Sequence, residues 1–163
     1  MPSLKQTKIL PYSGKQLHDL VLDIEKYPEF LPWCKQAKIT KINSDENLEA
    51  ILLINFKNFF EKYTSSVTHG KKDNGNYFVD VVAIEGPFKK LVNQWLLRDL
   101  ENGKCEVQFF LEFEFNSFFL GKMLGMVFER ATEKMMLAFE ERAKIIFKNQ
   151  YLLDCHVACS SSQ

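Results

Sequence analysis

The stretch from Asn116 to Phe147 constrains this chain more than any other. It contains no proline. At about 100° per residue, Leu120, Leu124, Val127, Phe128, Ala131, Met135, Ala138, Phe139, Ile145 and Ile146 fall on one stripe. Lys122, Glu129, Glu133, Glu140 and Lys144 fall opposite, with Glu140 and Lys144 spaced for an i,i+4 ion pair. The spacing predicts one long C-terminal helix, roughly 45 Å in length at about 1.5 Å per residue. Such a stripe needs an apolar surface of similar length to cover it, and most of the chain before it reads as strand. The expectation is a curved antiparallel sheet laid around one long helix.

The strands and turns follow from local pattern. Ser3 to Leu10 alternates and stops at Pro11. Ser13 is placed to cap a helix running to about Glu25, with Leu17, Leu20, Val21 and Ile24 at helical spacing. Pro28 and Pro32 limit Tyr27 to Cys34 to a short helical turn or a loop. Strands are then expected at Ala37–Ile42, Glu49–Asn58, Phe60–His69, Tyr77–Ile84, Leu91–Asp99 and Cys105–Phe115. Turn residues separate them at Gly70 to Gly75, Gly86-Pro87 and Glu101 to Gly103. The last strand is the clearest: Val107, Phe109, Leu111, Phe113 and Phe115 share one face, and Gln108, Glu112 and Glu114 the other, with Phe110 the exception. After Lys148 the periodicity is lost, so residues 1–147 are expected to form the domain and residues 148–163 a mobile tail.

Composition removes several function classes. The chain has 21 basic and 21 acidic residues, so no bulk charge favours DNA. The amino terminus carries neither a long apolar run nor an arginine-rich pattern, and a cytoplasmic protein with peripheral membrane contact is expected. Cys34, Cys105, Cys155 and Cys159 match neither a paired zinc-ligand spacing nor a disulfide framework, and His18, His69 and His156 are scattered. There is no metal cluster, nucleophile elbow or glycine-rich cofactor loop in the sequence, so no catalytic residue is assigned and no cofactor is required. Arg142 falls inside the apolar stripe and calls for an ion-pair partner.

The order strand, two short helices, six strands and a long helix resembles the helix-grip arrangement of the START-like, polyketide-cyclase-related superfamily. The segment Tyr27-Pro-Glu-Phe-Leu-Pro-Trp-Cys34 is one local match. Gly86-Pro-Phe88, Asn93-Gln-Trp95, Phe113-Glu-Phe115 and Ala138-Phe-Glu-Glu-Arg-Ala143 are the others. Together they resemble the ubiquinone-binding (coenzyme Q-binding) branch, which includes bacterial proteins described as ribosome association toxins. The resemblance spans roughly residues 3–147.

From the residues alone, the apolar faces fill a core. The resemblance implies instead that they line a cavity for ubiquinone or a related polyprenyl lipid. The implied lining is Trp95 and Leu97, then Phe109, Leu111, Phe113 and Phe115, facing Leu124, Val127, Phe128 and Met135 of the helix. Phe30, Leu31, Trp33 and Cys34 would form the mouth, as an exposed aromatic lip or as a packed turn. Phe118 and Phe119 are a second candidate for transient membrane contact, beside two helix-weakening glycines, Gly121 and Gly125. The function implied is non-catalytic lipid binding in support of respiration or ubiquinone biosynthesis. A ribosome-associating protein that blocks subunit association is the second implication, and a small-molecule cyclase the third.

Overall fold

Alternation along the strands decides the architecture. β7 (Cys105–Phe115) buries every second side chain from Cys105 to Phe115, and β3 (Asn47–Phe56) buries Leu48, Ala50, Leu52, Ile54 and Phe56 in the same way. A strand that is apolar on one face only needs a cover on that face alone. The computed structural model describes residues 3–56 and 59–160. It adds β1 (Ser3–Leu10), β2 (Cys34–Ser44), β4 (Phe59–Lys71), β5 (Tyr77–Glu85) and β6 (Phe88–Asp99). All pairings are antiparallel, in the order β1-β7-β6-β5-β4-β3-β2. Register shifts at Cys34/Gln36, Ile39/Lys41, Thr64/Ser65 and Phe88/Lys90 add twist, and the sheet curves around its apolar face.

The element order agrees with the sequence reading, and the fold is α+β, a helix-grip (START-like) arrangement. β2 runs over 11 residues, longer than the expected Ala37–Ile42. It is an edge strand whose exposed Lys35, Lys38 and Lys41 mask the strand pattern and also blunt the edge against further pairing. The residues 57 and 58 that were expected to end the third strand lie outside the described residues.

α1 (Gly14–Leu22) begins at a capping box: the Ser13 hydroxyl accepts from the Gln16 N–H at 3.1 Å, and the Gln16 side chain accepts from the Ser13 N–H at 2.9 Å. It ends sooner than Glu25, giving way to a 3₁₀ turn at Ile24–Glu29 that contains Pro28. The Gly14 N–H donates to Asp99 Oδ1 at 2.6 Å and ties α1 to the end of β6.

The C-terminal helix is not continuous. α2 (Phe118–Glu133) and α3 (Met135–Ser160) meet at Lys134, whose φ of −90° and ψ of −2° depart from helical values. The inner face is accordingly Leu124, Phe128 and Thr132 from α2, then Met135, Met136, Phe139 and Ala143 from α3. Ile145 and Ile146, expected on the buried stripe, are exposed. The expected Glu140–Lys144 pair is replaced. Glu140 pairs with Lys8 of β1 at 2.6 Å, and Lys144 pairs with Glu141 at 3.2 Å. The helical backbone continues past Lys148 to Ser160, since Asn149 to Ser160 contains no glycine or proline; residues 161–163 of the expected tail lie outside the described residues.

Candidate functional site

Between the curved sheet and the broken helix lie two adjoining spaces. The inner one is a cavity of about 50 Å³. Leu52, Val67, Val79 and Leu91 of the sheet form its floor, and Val21 and Ile24 close one side. Leu111, Phe128, Thr132 and Met135 close the other. The outer space is a groove of about 540 Å³, bounded by Phe30 to Trp33, Asn55, Phe56 and the helix from Val127 to Glu141. That volume falls within the range typical of small-molecule sites, about 300–1,000 Å³. Trp33 and Met135 line both spaces, so their side chains form the wall between groove and cavity. The wall stands beside the helix break at Lys134, where the backbone lacks regular helical support.

The expected ligand-binding residues separate into groups. Trp33, Leu111, Phe128 and Met135 line the cavity. Phe30, Leu31 and Val127 line the groove, together with Trp33 and Met135. Phe113 and Phe115 border a third hollow near the start of α2, and their rings lie 4.4 Å and 5.8 Å from that of Phe128. Trp95 and Phe109 pack at 4.8 Å, and Trp95 meets Phe139 at 4.9 Å, sealing the core against α3. Leu97, Cys34 and Leu124 are buried and border neither the cavity nor the groove.

The lip is packed rather than exposed. Leu31 is 1% and Trp33 9% exposed, while Phe30 is half-buried. The Trp33 ring stacks on Phe56 at 6.4 Å, and Phe30 packs edge-on against Phe139 at 5.1 Å. Arg142 reaches the same segment: its guanidinium lies 5.3 Å from the Phe30 ring centre and 3.7 Å from Glu29. It is an ion-pair residue holding the lip to α3. Burial pushes the Cys34 thiol up to about 12, so it is not a reactive thiolate. By contrast Phe118, Phe119, Met123 and Met126 on α2 are exposed. A side-chain carbon added at Gly121 or Gly125 meets nothing within 4 Å, so close packing does not require either glycine.

Sequence reasoning missed the polar part of the cavity. Tyr27, Tyr63, Ser65, Asn93 and Thr132 all line it. Asn93 donates to the Phe110 carbonyl at 3.0 Å and accepts from Trp95 Nε1 at 3.0 Å. Thr132 donates to the Glu129 carbonyl at 2.8 Å, and Tyr27 donates to the Val21 carbonyl. The usable signal was the alternation Tyr63, Ser65, Val67 in β4, which places a tyrosine at the same parity as two buried residues. Gly86, at φ +129°, brings the turn before β6 against Tyr63: a side-chain carbon there would lie 2.6 Å from Tyr63 Cβ.

Among the described residues no three His, Cys, Asp or Glu side chains form a metal-binding group, and no helix is long and apolar enough to cross a membrane. Comparison with known proteins adds the following. Residues 10–140 match the sequence profile of the family described as polyketide cyclase / dehydrase and lipid transport. The chain is similar to the ribosome association toxin RatA of Rickettsia prowazekii, at 47% identity over 91% of this chain and 100% of that one. It is similar at 27% to the mitochondrial coenzyme Q-binding protein COQ10 homolog B of Xenopus laevis, over 89% of this chain and 59% of that one. The solution structure of the 18 kDa protein CC1736 of Caulobacter crescentus is similar at 32% identity. Its TM-score is 0.69, with 91% of this chain and 99% of that chain covered.

Proposed function

This chain belongs to the polyketide cyclase / dehydrase and lipid transport family, and from that membership we propose that it binds ubiquinone or a related polyprenyl lipid without transforming it. In this reading it is a lipid chaperone that supports respiratory electron transport or ubiquinone biosynthesis. The observation that carries the reading is the shared wall. Trp33 and Met135 separate a mainly apolar groove from a mainly apolar cavity, and a shift of either side chain would join the two into one path. Methionine has an unbranched, adaptable side chain suited to such a shift. Similarity to a protein named for coenzyme Q binding supports the choice of lipid. The exposed Phe118, Phe119, Met123 and Met126 would meet the bilayer during loading. With 21 basic and 21 acidic residues, that contact is weak and reversible. The test is solvent extraction of the protein purified from ubiquinone-producing cells, followed by mass spectrometry. A polyprenyl quinone carried at a substantial fraction of the protein is expected; empty protein that also fails to take up added quinone contradicts the reading.

A second reading rests on a different observation, the 47% identity to a ribosome association toxin over that protein's whole length. In this reading the chain associates with the ribosome through its outer surface. Sedimentation of the purified protein with isolated ribosomal subunits tests it: co-migration with a subunit supports association, and protein confined to the top of the gradient opposes it.

A further inference from the structure

Tyr63 projects from β4 into the lining of the inner cavity and is 8% exposed. Among the described residues its hydroxyl makes no hydrogen bond, and it is not one of the fully enclosed polar atoms left without a partner, so it stays accessible. The other polar side chains of the cavity are engaged: Asn93 with Phe110 and Trp95, Thr132 with Glu129, Tyr27 with Val21, and Ser65 with the Ala50 carbonyl at 3.5 Å. A donor left free in the lining of a cavity is available to a ligand oxygen, and a hydrogen bond to it adds to binding.

The cavity also restricts what that ligand is. No Lys, Arg, His, Asp or Glu lines it. A carboxylate or phosphate placed there would be a buried charge without a counter-ion. A neutral oxygen acceptor needs only a donor, and a phenol supplies one. Burial raises the Tyr63 pKa, so the phenol stays protonated throughout the physiological range. Size divides the ligand further. About 50 Å³ admits only a compact end of a molecule, whereas the groove of about 540 Å³ has room for chain.

We propose that the inner cavity is a head-group site in which the Tyr63 hydroxyl donates a hydrogen bond to a neutral ring carbonyl, the tail lying in the outer groove beyond Trp33 and Met135. This rests on the lipid-binding reading above and deepens it: the inner cavity selects a neutral quinone-type head over a carboxylate or phosphate head, the charged Arg130, Lys134 and Glu141 lying in the outer groove. Tyr63 is then a specificity residue, and the engaged Asn93 and Thr132 are not.

The experiment compares wild type with Tyr63→Phe in the full chain, using three probes: decylubiquinone, dodecanoic acid and the apolar dye N-phenyl-1-naphthylamine. Tyr63→Phe keeps the ring and removes only the hydroxyl. The Kd for decylubiquinone is expected to rise about 3- to 10-fold, the worth of one hydrogen bond. Dye affinity is expected to stay the same, and the melting temperature to hold or rise. Wild type is expected to bind dodecanoic acid more weakly than decylubiquinone. If wild type binds decylubiquinone and Tyr63→Phe binds it equally well, the head-group assignment is overturned while lipid binding stands. A parallel loss of dye and quinone with a lower melting temperature makes Tyr63 a packing residue and also overturns it. If wild type takes up neither quinone nor dye, the lipid-binding reading itself falls and this inference falls with it.

Discussion

Trp33 stands where the two spaces meet, and its burial gives it a double role. Its ring stacks on Phe56 and contributes to the core, so Trp33→Ala leaves a hole the size of an indole. Unfolding free energy is expected to fall by about 3 kcal/mol or more, measured by urea denaturation. A loss under about 1 kcal/mol would place Trp33 on a yielding surface lip, as the sequence alone allowed. His18 offers a second test at this scale. It is buried in α1, its ring 5.0 Å from Tyr77 and 5.7 Å from His69, and its Nε2 has no partner. Burial, and after it the charge of His69, hold its pKa below the ordinary value of 6.5. The neutral form is therefore favoured in the folded state. Its contribution to stability is complete above the unfolded pKa and is lost as pH falls below about 6.5 toward the lower folded value. The melting temperature of wild type is expected to drop between pH 7 and pH 5.5 more than that of His18→Gln, and equal drops would show that another group controls the acid limb. The apolar residues of the site were legible because strand alternation marks them. For Tyr63 the alternation of β4 marks only the parity, since no sequence pattern tells whether its hydroxyl finds a partner.

The C-terminal helix shows what periodicity reveals and what it misses. The stripe located Leu124, Phe128, Met135 and Phe139 correctly on the inner face. It did not reveal the break at Lys134, since neither glycine nor proline marks it and the apolar spacing runs on across it. The break arises in packing: α2 is seated on Phe56, Phe88, Phe113 and Phe115 through Phe128, whereas α3 is seated on Tyr27, Phe30 and Trp95 through Phe139. α2 is also the weaker half. Gly121 and Gly125 fill no tight contact, so alanine at each should stabilise the helix by up to about 1 kcal/mol. The double variant Gly121→Ala, Gly125→Ala is expected to melt higher, and, if α2 must yield during loading, to take up quinone from vesicles more slowly. A lower melting temperature would mean that the glycines serve the fold in a way their open surroundings do not explain.

At the scale of the whole molecule, the element order was readable because each turn is marked by Gly, Pro, Asn or Asp and each inner strand face by alternation. Cavity volume was not readable, because it is a small difference between large packed surfaces: exchanging a few phenylalanines for leucines would leave the strand pattern intact and change the space inside. The central claim is that groove and cavity form one lipid path across the wall of Trp33 and Met135. Four of the five methionines are well placed to report on it. Met135 lies in the wall, Met136 is 2% exposed in the core, and Met123 and Met126 face outward on α2. The direct measurement is a titration of methionine-methyl-labelled protein with decylubiquinone, followed by NMR in the absence of membrane. A saturable shift at Met135, with Met123 and Met126 unmoved, is the predicted result. Shifts confined to Met123 and Met126, or no saturable shift at Met135, would contradict a path through the wall.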